Sequence, residues 1–216
     1  MSTMMWPEAT DPQSEVDQLV DVCKEHGSVG SVLDLGGRHR ESLAAAGFDP
    51  VDAAGTAPGQ TFDAVVLLGS AFGRQPEEDA LRSTVDTVRH HLRPGGLFLF
   101  DVLDGNAVLS RRSHNRFTRV TDGATQLVTA TRGSVDTDES VLRLDLQRWR
   151  LSGGRVVTAA RETLLIRFFL PRELDLVLRI NGFRLLGTAP LAGGEAAPAY
   201  RWNRLAWARA GADTEA

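Results

Sequence analysis

Two uninterrupted apolar runs of strand length, Ala64-Val65-Val66-Leu67-Leu68 and Leu97-Phe98-Leu99-Phe100, set the strongest limit on what this chain can fold into. An amphipathic strand alternates polar and apolar residues; a run with no polar face must be covered on both sides, as happens in the interior of a parallel sheet. Between the two runs lies a helical pattern. Pro76 and the acids Glu77, Glu78 and Asp79 suit its start. Leu81, Val85, Val88 and Leu92 recur on one face, and His90, His91 and Arg93 sit toward the negative end. Pro94-Gly95-Gly96 is read as the turn into the second run. Strand, helix and strand again require a right-handed crossover and an α/β layer structure.

The flanking segments extend this pattern. Asp11-Pro12 suits a helix start, followed by Val16, Leu19, Val20 and Cys23 at helical spacing, and Gly27 closes it. Ser31 to Leu35 reads as a short strand stopped by Gly36-Gly37, Arg40 to Ala46 as a short helix, and Pro50 to Ala54 as a second short strand. Beyond Asp101 the character changes. Residues 105–123 read as polar loop, and Thr125 to Phe169 as an antiparallel meander in which Leu142, Leu144 and Leu146 alternate with Arg143, Asp145 and Gln147. Pro171 opens a helix that ends at Asn181-Gly182, and two strands follow near Phe183–Thr188 and Asn203–Arg209. The expected organisation is a loose segment 1–10, one domain over 11–209 with an insertion at about 105–169, and a tail 210–216.

Composition narrows the function classes. A formal charge of −4 argues against a generic nucleic-acid face. The longest apolar stretches are strand-sized, and no targeting signal is evident at the N-terminus, so neither a membrane nor export is expected. Cys23 is the only cysteine, which excludes a disulfide framework within the chain and a cysteine-based metal site. A cytoplasmic protein is the expectation. No histidine pair has helical ligand spacing with an acid between, so no metal is expected either. Neither a Gly-x-Ser-x-Gly elbow nor a phosphate-loop lysine occurs.

Several landmarks then fall in a recognisable order. Val32-Leu33-Asp34-Leu35-Gly36-Gly37 resembles the first motif of class I S-adenosylmethionine (SAM)-dependent methyltransferases. Phe62-Asp63-Ala64-Val65-Val66 is similar to that family's fourth strand, and Leu92-Arg93-Pro94-Gly95-Gly96-Leu97 to its turn into the fifth. Phe169 to Leu174, with Asn181-Gly182-Phe183, resembles the helix before its last two strands. The resemblance implies an α/β fold with a Rossmann-like parallel sheet of the class I methyltransferase type, and an antiparallel β-meander inserted as a lid after the fifth strand. It also implies SAM as cofactor and a small-molecule substrate, as in N- and O-methyltransferases of bacterial secondary metabolism. In cofactor binding it implicates Asp34, Gly36 and Gly37 of the first motif, Gly69 and Ser70 after the fourth strand, and Asp101 at the end of the fifth.

Two departures stand against that pattern. The family's first motif alternates glycines so that SAM can lie against bare backbone; here the two later glycine positions are Arg38 and Arg40. An Arg pair there either repairs the loop or binds an anionic group. Moreover, only 23 residues separate Gly37 from Thr61. A helix averages ~11 residues and a strand ~5, so one of each fits and an edge strand is lost. Asp52, 18 residues beyond Asp34, stands near the spacing of an acid that binds ribose hydroxyls. On the substrate side, Asp104 and His114 are the candidate catalytic groups and Arg111, Arg112 and Arg116 the candidate anion anchors. Trp149, Tyr200, Trp202 and Trp207 read as packing or lid residues. Three readings stay open: a SAM-dependent methyltransferase, a cofactor-independent enzyme on the same fold catalysing cyclisation, elimination or rearrangement, and a non-catalytic partner. A bare sheet edge would also admit a homodimer.

Overall fold

The computed structural model describes residues 12–27, 30–37, 39–74, 76–192 and 202–211. The expectations for residues 1–10, Asp11, Arg38, Tyr200 and most of the C-terminal tail fall outside these. The chain runs α1 (Pro12–His26), β1 (Ser31–Asp34), α2 (Arg40–Ala45), β2 (Asp49–Asp52), a 3-10 turn (Ala53–Gly55), β3 (Phe62–Leu67), α3 (Glu78–His91) and β4 (Leu92–Asp104). It continues as α4 (Gly105–Leu109), β5 (Arg116–Asp122), β6 (Thr125–Asp136), β7 (Val141–Ser152), β8 (Arg155–Phe169), α5 (Pro171–Ile180), β9 (Phe183–Pro190) and β10 (Asn203–Ala210).

The main sheet has the order β2-β1-β3-β4-β10-β9, with β1 to β4 parallel and β10 antiparallel to both β4 and β9. Its pleat explains the unbroken apolar runs. Val32, Ala64, Val66, Leu97 and Leu99 face one layer, where they meet Val16, Leu19, Val22 and Cys23 of α1 and Leu43 of α2. Leu33, Val65, Phe98 and Phe100 face the other, against Leu81, Val85 and Val88 of α3 and Leu174 and Leu178 of α5. Helices on both faces leave no polar side for these strands to show.

β2 is the outer strand beside β1, at the margin where the sequence leaves room for one strand and one helix. It is four residues long, with aspartates at both ends and Pro50 within it. Proline donates no backbone hydrogen bond, and charge at a sheet edge discourages pairing with another chain. The short strand read at Pro50–Ala54 is present as Asp49–Asp52, beginning one residue earlier and giving way at Ala53 to the 3-10 turn.

Two other segments differ from the sequence reading. Pro94-Gly95-Gly96 does not separate two elements. Gly95, at φ +78, forms an irregularity inside one long β4, and the register against β3 shifts between Phe62 and Ala64. Residues 105–123 are not a continuous loop, since they hold α4 and β5. β5 was hidden because it is mostly exposed and carries polar residues on both faces; its seven-residue ladder with β6 makes it a strand.

The meander β5-β6-β7-β8 is antiparallel throughout. Its last strand returns to the main sheet, pairing in parallel at Leu103↔Phe168 and Asp104↔Phe169. Just before that junction the turn after β3 docks against it. Arg167 N donates to Gly73 O at 2.7 Å, and Phe72 is buried among Phe98, Phe100 and Phe169. A Cβ at Gly73 would stand 2.6 Å from the Arg167 carbonyl oxygen. Gly73→Ala is expected to cost about 1–3 kcal/mol by overpacking, and each kcal/mol lowers Tm by about 2–4 °C. Calorimetric unfolding checks this, and an unchanged Tm would mean the turn can leave β8 without loss.

Candidate functional site

The C-terminal edge of the parallel strands is where open α/β sheets take their ligands, and the polar residues gathered there begin with Asp34. This side chain is fully buried at the end of β1. Its Oδ1 accepts from Gly36 N at 3.2 Å and its Oδ2 from His39 N at 2.8 Å. One carboxylate thus closes the turn between β1 and α2 and satisfies an otherwise orphaned donor at the helix start. Gly37, at φ +64, takes the left-handed conformation the turn requires. The His39 side chain turns inward, where Nε2 donates to Glu15 Oε2 at 2.6 Å, and both residues are buried. This bond latches α1 to the turn. The Nδ1 atom of His39 is buried without a partner among the described residues.

Asp52 is the register partner of Asp34 on the neighbouring strand. Its Oδ1 accepts from Gly55 N at 2.8 Å and caps the 3-10 turn, and its Oδ2 accepts from Arg40 Nη1 at 3.2 Å.

On the other side of β1, the exit of β3 turns sharply, with Gly69 at φ +83 and Ser70 at φ +58. The left-handed conformation is costly for serine. Here the turn aims Ser70 N at both carboxylate oxygens of Asp101, at 2.8 and 3.0 Å. Asn203 at the start of β10 completes the cluster, its Nδ2 lying 2.5 Å from Asp101 Oδ2 and 2.7 Å from Ser70 Oγ. Asp101 is wholly buried. Burial pushes its carboxyl up to about 6, the charge of Glu15 adds to the rise, and the Ser70 and Asn203 donors hold it back.

Three of the candidate substrate-side residues, Arg111, His114 and Asp104, meet at Trp202. The Arg111 guanidinium lies 4.6 Å from the Trp202 ring centroid, and the His114 ring meets it edge-on at 5.6 Å. His114 Nε2 is 3.1 Å from the carbonyl oxygen of Val108. A carbonyl only accepts, so Nε2 carries the proton and Nδ1 of the neutral ring is the basic nitrogen. Asp104 caps α4 through Asn106 N at 2.9 Å and lies 3.8 Å from Arg204 Nη1, while its own N–H donates to Trp202 O at 2.7 Å. Arg116 begins β5 and Arg112 is exposed in the loop before it.

No protein-family model and no curated protein matches the sequence. Solved structures match nearly the whole chain. DesVI from Streptomyces venezuelae superposes with a TM-score of 0.72 at 16% identity, over 94% of this chain and 93% of its own. The sugar N-methyltransferase KedS8 from a Streptoalloteichus species gives 0.71 at 16%, over 95% and 96%. SAM-bound CalS10, an amino pentose methyltransferase from Micromonospora echinaspora involved in calicheamicin biosynthesis, gives 0.69 at 15%, over 97% and 99%. This chain has the class I methyltransferase fold.

On that methyltransferase fold, Asp34, Gly36, Gly37, Asp52, Gly69, Ser70 and Asp101 all come to one edge of the sheet. Sequence reasoning missed Asn203, Glu15 and His39. Glu15 reads as an acid favouring a helix N-terminus, Asn203 lies 133 residues from Ser70, and His39 sits between two arginines with no pattern around it. Among the described residues no group of three potential ligands could hold a metal ion, and no helix is long and apolar enough to cross a membrane. Burial also pushes the Cys23 thiol up to about 12, so it stays a thiol rather than a nucleophile.

Asp101 gives the methyltransferase-fold cluster a pH signature. An unfolded aspartate titrates near ~3.9 and the native one near 6. Between these values the native state holds more protons, so Asp101's contribution to stability is greatest below pH ~4. It falls by roughly 3 kcal/mol as pH rises to about 6. Asp101→Asn removes this contribution. The difference in unfolding free energy, variant minus wild type, is expected to rise from pH 4 to 6.5, and parallel curves would exclude the linkage.

Proposed function

We propose that this protein is a SAM-dependent methyltransferase acting on a small molecule of secondary metabolism. The observation that carries the reading is the convergence of the Asp34–Gly37 turn, Asp52 and the Ser70–Asp101–Asn203 cluster on one sheet edge, beside a meander anchored to that edge. The fold neighbours lend support, since CalS10 has SAM bound and is a methyltransferase of a biosynthetic route.

The residues present fit the cofactor in most respects. Gly36 and Gly37 offer bare backbone, and among the described residues beyond its chain neighbours no heavy atom lies within 4 Å of where a Cβ at Gly37 would stand. Asp34 holds this cradle in shape. In this reading Asp52 would take the ribose hydroxyls and Gly69 and Ser70 would line the reacting end, with Asp101 and Asn203 fixing the turn that carries them. Arg40 on Asp52 is the exception. When bound, SAM supplies an electrophilic methyl group.

The chain's own part is position, proton removal and exclusion of water. His114, its Nε2 fixed on a backbone carbonyl, offers Nδ1 to take the proton of an attacking amine or hydroxyl. Arg111, whose guanidinium lies over Trp202 beside His114, would take an anionic substituent of the acceptor, with Arg112 and Arg116 of the same segment as further candidates. Asp104 acts through α4, whose first turn it caps, and so sets where the segment carrying His114 begins.

Isothermal calorimetry with SAM and S-adenosylhomocysteine tests the cofactor reading. Micromolar binding is expected, and ligand at ~100 times its dissociation constant should add about 2.7 kcal/mol to stability in a parallel thermal series. Silence at millimolar ligand in both measurements would sink the methyltransferase reading.

A further inference from the structure

We propose that Arg40 is an internal competitor for Asp52, setting how tightly this chain takes the ribose of an adenosyl cofactor; the inference rests on the reading just given. Arg40 occupies the position of the first motif's last glycine and is the first residue of α2. From there its guanidinium spans to the end of β2, with Nη1 3.2 Å from Asp52 Oδ2.

The two oxygens of Asp52 are held differently. Oδ1 is bound by Gly55 N within the acid's own turn, and Thr56 Oγ1 holds the Asp52 carbonyl at 3.0 Å. Those bonds preorganise the carboxylate and need not break when a ligand arrives. Oδ2 is the oxygen left over for a diol, and Arg40 has it. Ribose binding therefore selects the fraction of molecules in which the pair is open, and apparent affinity is reduced by that fraction.

The pair's exposure sets the size of the effect. The side chains of Arg40 and Asp52 are 61% and 35% exposed. An ion pair in contact with water is worth little and is screened by salt. The penalty is therefore modest: about three- to fivefold in dissociation constant, or ~0.6–1 kcal/mol at 1.4 kcal/mol per tenfold. Arg40 thus weakens the adenosyl site without closing it, and added salt should partly relieve the competition.

The experiment is calorimetric titration of S-adenosylhomocysteine into four proteins: wild type, Arg40→Gly, Arg40→Gln and the double variant Arg40→Gly/Asp52→Asn. Thermal unfolding of each confirms that it is folded; the glutamine variant keeps helix propensity should glycine fray α2. Both single variants are expected to bind three- to fivefold tighter than wild type, and Asp52→Asn to erase the gain. Raising salt from 0.05 to about 0.5 M should narrow the gap between wild type and the single variants. If wild type binds and neither single variant binds more tightly, the competitor assignment is overturned while the methyltransferase reading stands. If the single variants bind and wild type does not, the assignment stands and the cofactor reading fails for the natural chain. If none binds, both fall.

Discussion

The carboxylate of Asp101 is the contact on which the shape of this sheet edge depends. It is fully buried and answered by the backbone of Ser70 and the amide of Asn203, so it ties the exits of β3 and β4 to the entry of β10. A buried charge or polar group of this kind is costly unless its partners are in place. That requirement holds Ser70 in a left-handed turn it would otherwise avoid. The turn in turn drops Phe72 into the aromatic core and brings Gly73 against β8, where the meander rejoins the main sheet. Site and meander are thus positioned by one local chain of interactions.

How much of this is written in the sequence depends on the range of the interaction concerned. The apolar runs at 64–68 and 97–100 announce a doubly covered sheet because burial on both faces is a property of neighbouring residues. The helix at 78–91 is legible for the same reason, through a period and two charged ends. β5 is not, because its strand character comes from pairing with β6 and no apolar face records it. The Pro94-Gly95-Gly96 turn misleads because its break in geometry is absorbed as an irregularity within β4. In the site, Asp34 and the glycines carry a local motif, whereas Asn203 and Glu15 acquire their roles only when distant segments meet. His39 looks like part of a charged turn until α1 closes over it.

The front of the sheet shows a different economy. With 23 residues between the first glycine turn and the next central strand, the chain keeps one strand and one short helix there. β2 then becomes the margin of the sheet, and its proline and aspartates suit it to that position. Arg40 and Asp52 join across the same margin. That pairing fastens the first turn of α2 to the end of the edge strand, so the shortened loop is held down by two side chains in partial contact with water.

The return of β8 to β4 has a mechanical consequence. The meander is built into the main sheet at Leu103↔Phe168 and Asp104↔Phe169 rather than attached by a flexible connector. It behaves as a cantilever clamped at that end. The clamp lies beside the Ser70–Asp101 cluster, and a beam held there would deflect least at that end and most at the far end of the 15-residue β8, by the turn at Gly153-Gly154. A force on the meander would bend the far end of a beam, while the groups beside the clamp keep their spacing.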